Sequence, residues 1–268
     1  MTNLNIDTDQ VRSTLTTFIR DQVTRAGFNR TVLGLSGGLD SALACYLAAE
    51  ALGADNVLAI RMPYRTSSSD SLAHAQLVID DLGVQTLTIP ITDMVDPLIN
   101  QFPEMSAKRK GNVMARQRMI ILFDQSEVFK GLVCGTGNKT EILLGYSTLY
   151  GDSACAFNAL GDLYKTQVRQ LAAAMGVPEA LIAKPPSADL WVGQTDEGEL
   201  GFTYHEVDRL LYLLVDRGFK PDECAAEGFS EKFIHSVIER VRKNQFKRVL
   251  PPIARLGDRT EGHDFFLH

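Results

Sequence analysis

The segment LGLSGGLDSALA, residues 33–44, holds residues whose types and order suit the binding of a polyphosphate. An apolar run enters a loop with two glycines, Gly37 and Gly38, and an apolar helical pattern leaves it. Adjacent glycines let the backbone turn sharply and approach an anion closely. Ser36 and Ser41 supply hydroxyls, and amide groups at a helix start face the same point with a dipole that favours negative charge. The loop has no lysine and fits neither GxxxxGK[ST] nor GxGxxG, the Walker and dinucleotide patterns. Asp40 is the unusual member. A carboxylate inside a phosphate cradle repels the ligand unless a divalent cation such as Mg²⁺ lies between them, taking oxygens from both.

The flanking pattern predicts how this loop is positioned. TVLGL (31–35), VLAIRMP (57–63), VQTLTIP (84–90) and GLVCGTG (131–137) read as short buried strands. Helical stretches alternate with them: one from Asp7 or Thr8 to near Gly27, one over 69–82, a short one at ITDMVDPLINQF and a long one over 107–125. Alternation of this kind predicts an α/β fold, a doubly wound, mostly parallel sheet with flanking helices and ligands at the carboxyl ends of the strands. The loops after strands one, two and four read SGGLDS, MPYRTSS and GTGNKTE. Beyond residue 160 the chain reads as mostly helical, through KTQVRQLAAAMG, TYHEVDRLLYLLVDRG and SEKFIHSVIERVRKNQF. AKPPSADLWVGQTDEGELG between the first two is expected to be a long polar loop, the kind that is usually functional. No linker divides the 268 residues, so one domain over 1–268 is expected.

Composition narrows the class. Lys plus Arg is 27 and Asp plus Glu 33, a net charge of −6; this argues against broad binding to nucleic acid or an anionic membrane, which needs a basic face. Hydrophobic residues at 45% and charged residues at 22% suit a globular domain. The N-terminus lacks an apolar signal core and no run is long enough to span a bilayer. Cys45, Cys134, Cys155 and Cys224 are far apart and read as small buried hydrophobes in a reducing, cytoplasmic setting. The five histidines show no metal-ligand spacing. Two basic stretches, 108–118 and 240–248, contain no acid; most of their charges suit solvated helix faces.

SGGxDS resembles the pyrophosphate loop of the N-type ATP pyrophosphatase superfamily. Those enzymes cleave ATP between the α and β phosphates and adenylate a carboxylate or carbonyl oxygen. GNVMARQRM (111–119), GTGNKTE (135–141), GYSTLYGD (145–152), GDLYKTQVRQLA (161–172), KPPSADLWVGQTDEGELG (184–201) and MPYRTSS (62–68) are similar, in order, to the signature blocks of NAD synthetase. Lys247, Arg248, Pro251 and Pro252 match its end. The resemblance implies an adenine nucleotide alpha-hydrolase-like fold and the ATP-dependent amidation of deamido-NAD with ammonia. In that reaction a nicotinate acyl-adenylate forms, and AMP and pyrophosphate are released.

It also implies site residues. Gly34, Leu35, Ser36, Gly37, Gly38, Leu39, Asp40 and Ser41 form the ATP cradle, with Asp40 and Glu141 as carboxylates for Mg²⁺. Thr136, Lys165 and Ser187 match positions that contact ATP, and Arg116 and Lys247 positions that bind the dinucleotide. Lys165 opens a helix, where a cation is disfavoured by the dipole, and a fixed cation there would stabilise the charge of departing pyrophosphate. Trp191 lies in the polar loop, which in that family folds over the active site; it either shields a water-sensitive adenylate or anchors local packing. The chain departs from many ammonia-using relatives at Leu149 and Phe246, where they carry lysine and histidine, and at Ala156, where they carry aspartate. Either the dinucleotide binds more weakly for lack of that lysine, or another cation replaces the contact, with Lys247 and Arg116 as the candidates. The family is homodimeric, and the long helix over 107–125 offers Val113, Met114, Met119, Ile120 and Leu122 to an interface. The synthetase region begins near residue 8, so no amidase domain is expected and ammonia comes from solution or a separate amidase. A tRNA thiolase of the same superfamily is disfavoured by the missing paired cysteines and the acidic charge. A non-catalytic nucleotide-binding relative would not need Asp40, Glu141 and Lys165 together.

Overall fold

In a computed structural model, which describes residues 4–187, 195–254 and 256, the strands are β1 (Thr31–Gly34), β2 (Val57–Arg61), β3 (Gln85–Thr88), β4 (Leu132–Gly135) and β5 (Phe157–Asn158). They form one sheet in the order β3-β2-β1-β4-β5. All four pairings are parallel, with Thr31 opposite both Val57 and Leu132. The sheet is therefore fully parallel. Strand order reverses between β1 and β4, and that reversal opens a crevice at their carboxyl ends.

Twelve α-helices surround the sheet among the described residues: α1 (Thr8–Arg25), α2 (Leu39–Leu52), α3 (Ser69–Leu82), α4 (Thr92–Ile99), α5 (Ala107–Phe129), α6 (Lys139–Leu144), α7 (Lys165–Ala174), α8 (Glu179–Ile182), α9 (Asp196–Leu200), α10 (Tyr204–Leu211), α11 (Pro221–Ala226) and α12 (Glu231–Lys243). Side chains alternate across a strand, so β1 and β2 feed two cores. Leu33, Val57 and Ala59 pack with α1, α2, α3 and α7 on one face. Val32, Leu58 and Ile60 pack with Ile91, Val95, Met114 and Ile121, under α4 and α5, on the other. Helix α2 is apolar all round, with only four of its fourteen residues not buried, as a helix enclosed by others must be. A third cluster joins α10, α11 and α12 to Leu144 of α6 and Tyr164 just before α7. The helical C-terminal part thus packs against the two helices that follow the sheet's switch point.

Several sequence expectations shift. Strand β5 was not expected; its two residues are too few to show a pattern. The helix expected over 203–218 is α10 followed by a π-helical turn, Tyr212–Asp216. Part of the expected polar loop is helix α9, whose amide groups are capped by Thr195; Trp191 lies outside the described residues. Cys45, Cys134 and Cys224 are buried, but Cys155 is half-exposed, so it is not a core residue. The interface expected of α5 is only partly available. Met114 is 2% exposed in the chain's own core, Val113 and Leu122 pack on the same cluster, and Met119 lines the crevice. Ile120 does face outward, together with Phe123, Met94, Leu98 and Phe102.

Candidate active site

The crevice holds a cavity of about 580 Å³, in the range of small-molecule and cofactor sites. Its floor begins at the loop after β1. Leu35 continues the strand by donating to the Ile60 carbonyl at 2.9 Å, and then the chain turns. Gly37 adopts φ +76°. A Cβ there would lie 2.0 Å from the Ser71 carbonyl oxygen at the start of α3, so the close approach admits only glycine. Gly38 is the N-cap of α2 and offers no capping side chain, so the first-turn amide groups have no side-chain acceptor. Ser41 Oγ accepts the Ser36 amide and lies 3.0 Å from Ser36 Oγ, which itself accepts the Gly38 amide. The two serines therefore hold the shape of the loop itself.

Asp40, in the first turn of α2, meets the loop after β4 across the crevice. Asn138, fully buried, donates from Nδ2 to Asp40 Oδ1 at 2.8 Å. Its own Oδ1 accepts the Glu141 amide at 3.0 Å, while its backbone amide donates to Glu141 Oε2. This capping box seats Glu141 in the first turn of α6, and one asparagine fixes both carboxylates. Lys165, the first residue of α7, reaches into the same place. Its Nζ forms an ion pair with Asp40 Oδ2 and stands 3.6 Å from Glu141 Oε1. The side chains of Lys165, Asp40 and Glu141 are 5%, 16% and 18% exposed. A group this enclosed is little screened by water, unlike a surface pair. Burial, then the charge of Asp40, push the Glu141 carboxyl well above the usual carboxylate range, against the pull of Lys165. Burial alone would lower the Lys165 ammonium, but Asp40 and Glu141 outweigh it and hold its pKa above the ordinary value.

The wall behind Lys165 was not foreseen. Asp196, 4% exposed, accepts the hydroxyls of Tyr146 and Tyr204 at 3.0 and 3.1 Å. The Tyr204 ring centroid is 5.5 Å from Lys165 Nζ, a cation–π distance. Lys184 was also missed: it donates to the Gly37 carbonyl at 3.3 Å and to Ser71 Oγ at 3.0 Å, fastening the cradle to α3. The sequence signal for it was a lysine opening KPPS, the segment that delivers Ser187 to the cavity rim.

Gly34 to Ser41, apart from Gly37 behind the turn, line one cavity with Thr136, Glu141, Lys165, Ser187 and Lys247. Lys247 Nζ donates to the Gly145 and Ser147 carbonyls, each at 2.7 Å. Arg116 is not brought there. Its guanidinium donates to the Leu149 carbonyl at 3.2–3.3 Å and lines a separate shallow depression with Leu98, Phe102 and Arg109. Leu149, Ala156 and Phe246, the three departures, do not line the cavity either.

Comparison with known proteins gives the arrangement a context. A family model described as NAD synthase matches residues 11–251. An NH₃-dependent NAD⁺ synthetase of Trichlorobacter lovleyi is 56% identical over 265 residues, which is 99% of this chain and 97% of that protein. Among solved structures, an NH₃-dependent NAD synthetase from Campylobacter jejuni in complex with the nitrate ion aligns with TM-score 0.80 and 34% identity, over 93% of this chain and all of that one. An NMN synthetase from Francisella tularensis aligns with TM-score 0.84 and 29% identity, over 94% and 100%.

Gly37 carries a direct prediction. Gly37→Ala combines a left-handed backbone, worth about 1–3 kcal/mol of strain, with a clash against backbone. Thermal unfolding should fall by about 2–4 °C for each kcal/mol lost, and ATP affinity measured by calorimetry should fall with it. Unchanged melting and affinity would show that the turn tolerates a side chain.

Proposed function

Because the chain belongs to the NAD synthase family, its activity is the ammonia-dependent synthesis of NAD, with ATP as co-substrate, and we propose that it proceeds in two steps through a nicotinate acyl-adenylate. A nicotinate carboxylate oxygen of deamido-NAD attacks the α-phosphorus of ATP, the bond to the bridging oxygen breaks, and pyrophosphate leaves with that electron pair. Ammonia then attacks the acyl carbon, AMP leaves, and a proton is lost to give the amide. The observation that carries this reading is Lys165 held between Asp40 and Glu141 beside an anion cradle.

Each protein group has a task that needs no covalent catalysis. The amide groups at the start of α2, in the loop that Ser36 and Ser41 shape, take the phosphates. Lys165 faces the oxygens where charge grows as pyrophosphate departs, so it stabilises the transition state more than the ground state. Thr136 and Ser187, both lining the cavity, complete the nucleotide contacts. Lys247 is the cation of the cavity suited to the dinucleotide, through its charge and its place beside Gly145 and Ser147. Most of the acceleration comes from holding two reactants in line in a charged crevice.

Mg²⁺ fits the same residues. The donor set is hard oxygen, and burial with the charge of Asp40 pushes the Glu141 carboxyl upward even beside the Lys165 ammonium; a second cation would relieve that. Asp40 and Glu141 would hold the ion, which when bound supplies neutralisation of phosphate charge.

We also place the chain in a homodimer in the cytoplasm. No helix among the described residues is long and apolar enough to cross a membrane. Ile120, Phe123, Met94, Leu98 and Phe102 form an outward apolar face on α4, α5 and the turn between them, larger than singly scattered surface residues need. The depression holding Arg116 lies on that face, so Arg116 would meet the dinucleotide at the subunit boundary. A separate amidase as ammonia source is compatible with this arrangement.

Three outcomes follow from the assignments. Asp40→Asn and Glu141→Gln should each lower pyrophosphate release at saturating ATP and magnesium by about 100-fold or more, since each removes a charge that holds Lys165 and the metal. Rates near wild type in both would remove these carboxylates from the chemistry. Lys247→Met should raise the KM for deamido-NAD by about 10-fold or more, the worth of a charged hydrogen bond, and leave the KM for ATP alone. Equal shifts in both constants would place Lys247 elsewhere. Sedimentation at micromolar concentration should give a dimer of this 29.5 kDa chain; a fully active monomer would exclude the interface.

A further inference from the structure

Asp208 is fully buried in the middle of α10, a position where a carboxylate needs a reason to be. Both of its oxygens are taken. Thr140 Oγ1, in α6, donates to Asp208 Oδ1 at 2.6 Å, and the Thr166 amide, in the first turn of α7, donates to Oδ2 at 2.8 Å. The same Thr140 Oγ1 accepts the Lys165 amide at 3.0 Å. Thr140, also fully buried, immediately precedes Glu141. One carboxylate thereby ties the helix that carries Glu141 to the helix that carries Lys165, through two orphan amide groups that α7 cannot satisfy by itself.

We infer that Asp208 is a positioning residue for the synthetase reaction, acting through Thr140 and the start of α7 to set Lys165 against Glu141 and Asp40. The inference rests on the function proposed above. Neither Asp208 nor Thr140 lines the cavity, so neither touches substrate, and their effect must pass through Lys165. The apolar surroundings of α10, from Val207, Leu210 and Leu211, leave the carboxylate no alternative partner in water. Asp216 makes a second tie between α6 and the residue that caps α7, accepting Lys139 Nζ at 2.7 Å and the Tyr164 hydroxyl, but it touches neither Thr140 nor Lys165.

The test is a mutant cycle read on the full-length enzyme. Asp208→Asn keeps the shape but gives one oxygen where two acceptors are needed. Thr140→Val keeps the shape of Thr140 and removes its hydroxyl, and Thr140→Ser restores it. We expect Asp208→Asn and Thr140→Val each to lower kcat for AMP formation by about 10–100-fold, the usual effect of a small misplacement. KM for ATP and for deamido-NAD should move little, and Thr140→Ser should keep most of the rate. The decisive arm repeats the substitutions in a Lys165→Gln background, where AMP is quantified chromatographically over long incubations. There each should have almost no further effect, because groups that act as a unit are non-additive. An equal fold-loss with and without Lys165, or a wild-type kcat in both single variants, would overturn the inference. If Asp208→Asn does not fold, the Thr140→Val cycle gives the same reading. A wild-type enzyme that makes no NAD from deamido-NAD would overturn the parent function as well; a working wild type with an additive cycle would overturn the positioning role alone.

Discussion

One ammonium group sets the terms for this structure. Lys165 Nζ must sit among carboxylates inside a crevice, where an unpaired charge is far too costly to keep. Asp40 and Glu141 make it affordable to bury, and Lys165 in turn lets two carboxylates face each other. The three groups come from three helices that share no local sequence. Asp40 opens α2, Glu141 opens α6 and Lys165 opens α7. Only a fold that brings three helix starts to one point can assemble them, and a parallel sheet does so where its strand order reverses. β1 delivers the cradle and Asp40, and the adjacent β4 delivers Asn138 and Glu141.

Lysine at the start of α7 opposes that helix's dipole. The surrounding carboxylates hold the ammonium charged there all the same. The cradle shows a related economy of means. Its serines fix the loop, its glycine permits contact with α3, and Lys184 fastens the two. The amide groups at the start of α2 can then meet an anion without reorganising, which is the condition for electrostatic catalysis.

Much of this was legible because it is local. SGGLDS lies between an apolar run and an apolar helix, and both the turn and the helix start follow from neighbouring residues. Glu141 is readable in the same way, as the fourth residue of a capping box in GTGNKTE. What the sequence could not place was non-local. Arg116 belongs to a basic run on α5 whose members face different directions, and periodicity could not say that it turns to the Leu149 carbonyl rather than the crevice. Asp208 looks in sequence like any acidic residue on an amphipathic helix. Its burial depends on α6 and α7 packing above it, through contacts 42 and 68 residues away. Asp196 is hidden for the same reason, since its partners Tyr146 and Tyr204 come from separate elements. Cys155 was misread from composition alone; its neighbour β5 is a two-residue strand at the sheet's edge, too small to cover it.

In the proposed mechanism this crevice joins a carboxylate oxygen of one substrate to the α-phosphorus of the other. Deamido-NAD labelled with oxygen-18 in its nicotinate carboxylate tests it most directly, with unlabelled ATP, magnesium and ammonia. One labelled oxygen is expected in the phosphate of AMP while the other stays in the amide of NAD. AMP that forms without label, alongside labelled NAD, would contradict it.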